Sequence, residues 1–460
     1  MDPLGAPERR RDRPSGARAA AARRHGVTAT KAILISIDGL AAFYWTDPAA
    51  RMEGVRALAK RGVVAARMET VFPSTTWPAH ASLVTGVAPD RHGVVGNAIL
   101  NRRTGAREDL TGDPVYDAPD LLRGPTVYDC AHAAGLTTAA IDWPATRHAP
   151  SLNFNLPFFK DQRVFETQTS RAVWTELAAL GYPLDRQGEW AELPKRFLKD
   201  AMVAELAAHV WRRHEPRLML LHFLCVDSLQ HLHGPRSPEA YWAIDYVDGL
   251  IGRFLVTLPA DELAERTALF VVSDHGFLPV AHEVRPNARL RQLGVLRADP
   301  AGRVASADAR FVTNHGAGYL YCTGDGDPVR LARDLAAELA RVEGVAHVWA
   351  EREYPALGLP RLAQDPRVGD LLLEAAPGYA FADDAQGDEV VGAPRYRGNH
   401  GHLPTHPDNG AFFLAAGPGI ARGRTLAAVR SRDVGPTVAH VLGLGMEATD
   451  GRALTEILAA

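Results

Sequence analysis

Sulfur is scarce in this chain, with three cysteines (Cys130, Cys225 and Cys322) among 460 residues. They are too few and too scattered for a disulfide framework or a thiolate zinc site, and read instead as small buried apolar side chains. No run of about eighteen apolar residues occurs, so no membrane-spanning helix is expected. An excess of charge is missing too. The formal net charge is −3, so no overall field draws the protein to nucleic acid or to an acidic membrane. No internal repeat is visible. Residues 1–30 are rich in Arg, Ala, Pro and Gly and contain no apolar core of signal-peptide length. They read as a disordered tail, and the protein as cytoplasmic.

What is present suffices for a large core. Hydrophobic residues make up 46% and charged residues 23%, an ordinary globular balance. The length fits one α/β domain carrying an insertion. Short apolar runs recur: "KAILISID" (31–38), "TTAAID" (137–142), "RLMLLHFL" (217–224), "TALFVVSD" (267–274), "DLLLEA" (370–375) and "AFFLAAG" (411–417). Helical patterns separate them at 50–61, 125–135, 196–214, 239–256 and 430–442. This alternation predicts a mostly parallel sheet with helices on both faces, a three-layer α/β/α sandwich. The stretch 316–350 reads as a small β-α-β unit inside an inserted α+β cap, 286–395, leaving 31–285 and 396–460 as the catalytic core.

Three of the predicted strands run into an acidic residue. Asp38 closes "LISID", Asp227 follows "LHFLCV" with His231 four residues on, and Asp274 closes "LFVVSD" with His275 directly after it. His400 stands in a Gly-rich loop, "YRGNHGHLP". In isolation each has a bland reading: an Asp-Gly turn, an i,i+4 helical pair, a loop histidine. In a parallel sheet, ligand sites lie beyond the carboxyl ends of the strands. All six residues are expected at that edge and make an oxygen–nitrogen donor set. Six ligands are too many for one tetrahedral zinc ion and suit two ions about 4 Å apart, the pairing that clamps attacking and leaving oxygens in phosphoryl transfer. Manganese or iron fits the same donors.

A nucleophile can come from "FPSTTWPAHASLVTGVAPDRHG", residues 72–93. A threonine hydroxyl needs a base or a metal to become reactive. At a helix start it also meets the positive end of the helix dipole, which favours an incoming phosphate. Ser74, Thr75 and Thr76 are each compatible with such a turn, or with a plain N-cap.

Taken in order, these pieces resemble the nucleotide pyrophosphatase/phosphodiesterase family of the alkaline phosphatase superfamily. The resemblance rests on Pro73, Thr76, Trp77, Pro78, His80, the run Leu83-Val84-Thr85-Gly86, Pro89 and His92-Gly93-Val94. It extends to Asp227-Ser228 with His231, to Ser273–Gly276, and to Gly398–Gly401. It implies that Asp38, Thr76, Asp274 and His275 surround one zinc ion, and that Asp227, His231 and His400 hold another. It also implies that Thr76 attacks phosphorus to give a phospho-threonine, that Asn97 donates to a phosphate oxygen, and that Trp77 lines the site of the leaving or base group. The substrate implied is a small phosphodiester or nucleotide.

Departures from the family pattern stand at Trp77, where Phe is usual, and at Ala79, where Asn is frequent. The fourth motif runs on as "HGHLPTHPDNG", which makes His402 and His406 second candidates around the metal. Alternatives on the same scaffold are a phosphomonoesterase, a phosphonate hydrolase or a phosphosugar mutase, and beyond enzymes a metal-containing binding protein. A monoester site needs an added cation for the second phosphate charge. The motif loops offer only Arg91, which reads as a surface residue, so diesters are favoured.

Overall fold

The computed structural model describes residues 29–110, 116–259, 261–300 and 302–459. The tail read at 1–30 lies outside the described residues except for its last two positions.

The strands that build the fold are, in chain order, β1 (Lys31–Ile37), β2 (Gly62–Glu69), β3 (Thr138–Ile141), β4 (Phe154–Leu156), β5 (Leu218–Phe223), β6 (Thr267–Val272), β7 (Ala309–Asn314), β8 (Ala317–Cys322), β9 (Val345–Ala350), β10 (Leu371–Ala375), β11 (Ala411–Ala416) and β12 (Arg424–Leu426). The principal helices are α1 (Thr76–Thr85), α2 (Arg196–His214), α3 (Cys225–His233), α4 (Pro238–Val256), α5 (Pro328–Leu339) and α6 (Val434–Val441).

The main sheet runs β12-β2-β11-β6-β1-β5-β3-β4. All neighbours are parallel except β11, which lies antiparallel between β2 and β6. Side chains alternate across β1 because successive Cβ atoms point to opposite faces. Ile33, Ile35 and Ile37 pack with Val203, Ala207, Val247 and Ile251 from α2 and α4. Ala32 and Leu34 pack on the other face with Leu83, Val84, Val434 and Val438 from α1 and α6. A sheet buried on both faces must be apolar at nearly every position, which is why these strands read as unbroken hydrophobic runs. The three-layer α/β/α architecture follows directly.

Residues 309–375 form a second, four-stranded sheet in the order β7-β8-β10-β9, every pair antiparallel. It packs with α5 around its own core of Phe311, Leu320, Leu335, Leu339 and Leu373. The expected β-α-β unit is present as β8, α5 and β9, but β10 is inserted between its two strands. "DLLLEA", counted among the large-sheet strands, is this β10. An apolar run reports burial and says nothing about which sheet supplies it.

Candidate active site

The three adjacent strands β6, β1 and β5 each release a carboxylate at their C-terminal ends. Asp38 follows β1 directly, Asp274 lies two residues past β6, and Asp227 is the third residue of α3. Parallel pairing sets Ile37 opposite Phe223 and Ser36 opposite Val272, so the three ends are level. Gly39 makes the turn with φ 68°. A Cβ there would fall 3.0 Å from the Phe277 ring and 3.2 Å from the Asp227 backbone, so only glycine lets Asp38 and Asp227 approach. His400 arrives from the opposite direction: Asn399 pairs with Leu278, a few residues beyond His275.

These residues meet as two adjoining clusters. In one, His275 Nε2 lies 3.4 Å from Asp38 Oδ1 and 3.2 Å from Asp274 Oδ2. In the other, Asp227 Oδ1 lies 3.3 Å from His231 Nε2 and 3.6 Å from His400 Nε2. The His275 and His400 rings stack at 3.7 Å and join the two. All six side chains are buried, yet Asp38 Oδ1, Asp227 Oδ1, Asp274 Oδ2 and His275 Nε2 have no hydrogen-bond partner. Each such atom costs about 1–3 kcal/mol, so four facing one another mark a site built for cations.

The histidine tautomers agree with this. Nδ1 of His231, His275 and His400 faces the backbone carbonyls of Gly398, Gly276 and Ser74 at 3.0, 3.1 and 2.9 Å. A ring nitrogen against a carbonyl carries the proton, so each Nε2 presents a lone pair. Burial, with Asp274 and Asp227 nearby, pushes the Asp38 carboxyl well above the ordinary range. Burial acts the same way on Asp227, but His231, His275 and Arg196 outweigh it and hold that carboxyl below the ordinary range. The donor set fits divalent metal ions.

Helix α1 opens at Thr76. Thr75 occupies the N-cap position, but its hydroxyl makes no capping bond and is buried without a partner. Thr76 lines a cavity of about 420 Å³ together with Asp38, Asn97, Asp227, His231 and His400. The side-chain oxygen of Asn97 accepts from the Trp77 N–H at 2.9 Å, so its NH2 end is left to serve a ligand. The Trp77 ring meets Phe158 edge to face at 5.3 Å, and both line the cavity.

The second candidates fall elsewhere. His402 uses its carbonyl to hold Ser74 Oγ and Asn409 Nδ2, and His406 Nδ1 accepts from the Asp408 N–H. Among the described residues, neither ring joins a group able to hold a metal ion. Arg91 is a surface residue, paired with Asp450.

Sequence reading missed four neighbours. His222 sits on β5 with Nε2 3.3 Å from Asp38 Oδ2, and its pKa falls to about 3 through burial. Its signal was a polar side chain within an otherwise apolar strand. Arg196, on the first turn of α2, lies 3.5 Å from Asp227 Oδ2. His315 stacks on His231, and Asn314 clamps the loop of Asn97. The last two stand at the β7–β8 turn, and no motif announced them.

A sequence profile of the type I phosphodiesterase / nucleotide pyrophosphatase family matches residues 32–403. The chain belongs to that family. Human ectonucleotide pyrophosphatase/phosphodiesterase family member 7 is 24% identical over 442 residues, 92% of this chain and 82% of the relative. Human member 1 is 26% identical over 246 residues, 53% of this chain and 23% of the relative, so the chain spans under a quarter of that protein. Murine ectonucleotide pyrophosphatase/phosphodiesterase 5 shares the fold, with a TM-score of 0.70 at 20% identity, over 93% of this chain and 100% of that one. The same murine protein has been solved as an inactive threonine-to-alanine form in complex with AMP. Among the described residues, no helix is long and apolar enough to cross a membrane.

Proposed function

We propose that this family member is a phosphodiesterase/nucleotide pyrophosphatase that works through a covalent phospho-threonine at Thr76 beside two zinc ions. The observation that carries the reading is that four unpartnered ligand atoms, on Asp38, Asp227, Asp274 and His275, converge beside a cavity that Thr76 also lines. Asp38, Asp274, His275 and Thr76 would hold one ion, and Asp227, His231 and His400 the other, with manganese or iron compatible with the same donors. Bound there, such a pair supplies positive charge at both the attacking and the departing oxygen.

The chain supplies the rest. The Thr76 hydroxyl loses its proton to solvent and its oxygen forms a bond to phosphorus as the bond to the leaving oxygen breaks, and that electron pair departs with the leaving group. The Asn97 NH2 and the Thr76 backbone N–H donate to a non-bridging oxygen, where charge builds up. Trp77 and Phe158 form an apolar wall for the organic substituent. Water then cleaves the phospho-threonine and restores the hydroxyl. Both displacements are in line, so configuration at phosphorus is retained. The inactive threonine-to-alanine relative bound to AMP supports a nucleotide-like substrate and a working threonine.

Metal content and turnover of a chromogenic phosphodiester test the reading together. Protein with about two zinc ions per chain should hydrolyse the diester, and Thr76→Ala should bind metal without turnover. Fully loaded protein that cleaves neither diesters nor monoesters would sink it.

A further inference from the structure

Helix α2 is apolar along its buried face except in its first turn. There Arg196, Lys199 and Asp200, at i, i+3 and i+4, are all buried and point one way. Two of the three have structural roles. Asp200 accepts the backbone N–H groups of Leu224 and Cys225, both at 2.8 Å, and so fixes the start of α3. Lys199 pairs with Asp142 at 2.7 Å and lies 4.1 Å above the Phe158 ring.

Arg196 is paired only with a carboxylate that the proposed metal set also claims. It is 8% exposed, and its Nε donates to the Ala191 carbonyl at 3.0 Å. Its Nη1 donates to Ser228 Oγ at 3.2 Å. The nearest carboxylate oxygen, Asp227 Oδ2, is 3.5 Å away and belongs to the proposed metal set. A guanidinium has five N–H donors, so most are unspent. Burying that charge costs several kcal/mol unless something returns it. Arg196 also lines the cavity, in a wall with Phe158, Lys160 and Leu193. An anion entering the cavity would take the donors that this arrangement leaves unspent.

Position within the site says which anion. Thr76 is assigned with Asp38, Asp274 and His275, whereas Arg196 borders the other cluster, beside Asp227. Under that assignment, an in-line attack by Thr76 would expel the leaving group away from the threonine, toward the second cluster. Resting on the activity proposed above, we infer that Arg196 binds a negatively charged leaving group. The preferred substrates are then phosphoanhydrides, whose leaving group is itself a phosphate, over diesters that release an alcohol or a phenol. A planar guanidinium matches the two oxygens of such a phosphate with paired hydrogen bonds.

The test uses zinc-loaded wild type, Arg196→Met and Arg196→Lys on two substrates that share one nucleotidyl group. Thymidine 5′-triphosphate releases pyrophosphate, and p-nitrophenyl thymidine 5′-phosphate releases a phenolate. Arg196→Met should lose about 10- to 100-fold in kcat/KM on the triphosphate, the value of one or two charge-assisted hydrogen bonds, and less than about 3-fold on the ester. Arg196→Lys should recover part of the loss, and competitive inhibition by inorganic pyrophosphate should weaken about 10-fold or more in the methionine variant. Equal losses on both substrates would mean that Arg196 acts only through Asp227, and unchanged kinetics that it binds nothing. Either result overturns the inference. With p-nitrophenyl phosphate, a monoester, run as a third substrate, a loss confined to it would place the contact on the transferred group and overturn the inference as well. If the methionine variant fails to hold zinc, the lysine variant decides by the same comparison. Wild type inactive on both substrates removes the activity reading, and this inference with it.

Discussion

Two adjacent threonines differ in what surrounds their hydroxyls. Thr75 Oγ1 is buried without a hydrogen-bond partner, whereas Thr76 lines the cavity that the carboxylates and imidazoles border. Thr76→Ala should abolish turnover by about 10³-fold or more, as removal of a covalent nucleophile does, with metal content unchanged. Thr75→Ala should cost less than about 10-fold, since its hydroxyl makes no bond to lose. Steady-state kinetics on a chromogenic diester, with metal analysis of each variant, checks both. Asn97→Ala removes a donor at the charged oxygen and should lower kcat by about 10²- to 10³-fold. At this scale the sequence was informative because functional side chains break local rules. A carboxylate just past an apolar strand, as at Asp274, asks for a partner. His222 broke the same rule on β5 and was overlooked for want of a motif around it.

Among elements, the β7–β8 hairpin carries consequences that its position in the chain conceals. Asn314 Oδ1 accepts from the Asn97 and Ala98 N–H groups at 2.6 and 3.1 Å, and its Nδ2 donates to the Ala98 carbonyl at 2.9 Å. Asn314→Ala should free that loop and lower kcat about 10-fold or more through Asn97, since small misplacements of a catalytic donor are costly. The double variant with Asn97→Ala should then show little further loss, which a kinetic double-mutant cycle measures. The adjacent His315 holds φ 69°, a conformation that glycine takes freely. Exchanging it with Gly316 is barred, because a Cβ at 316 would lie 2.2 Å from His402 Nδ1. No sequence pattern reveals such a constraint, since it comes from contact between distant segments. Strands were legible where both faces are covered. β2 escaped because Arg67 and Glu69 interrupt its apolar run. β10 was seen, but its sheet was not.

For the molecule as a whole, the core and the crowded carboxylates set the response to acid and to metal removal. His92 is buried, with Nδ1 accepting the Val94 N–H and Nε2 donating to Ser82 Oγ, at 3.1 and 2.9 Å. Burial, with Arg367 and Arg123 nearby, brings its pKa down to about 3. The unfolded chain has the higher value, about 6.5, and so binds the extra proton between these limits. Stability therefore falls as pH drops through that window, by at most about 1.4 kcal/mol per pH unit for this one group. Urea unfolding of wild type and His92→Gln at pH 7 and pH 5 should show a loss about 2 kcal/mol smaller in the variant. Metal should stabilise in turn: at a thousandfold excess over Kd, zinc should contribute about 4 kcal/mol, seen as a melting temperature that a chelator lowers and zinc restores. The layered architecture was readable from the alternation of apolar runs and amphipathic stretches. The second sheet's route into the site was not, because it depends on how two cores dock.

The central claim is that phosphorus passes through Thr76, and stereochemistry at phosphorus tests it most directly. Hydrolysis of a chiral phosphorothioate diester in oxygen-18 water by the zinc-loaded enzyme, read by phosphorus NMR, should show net retention, the sum of two in-line displacements. Net inversion would mean that water attacks the substrate directly and that Thr76 never carries the phosphoryl group.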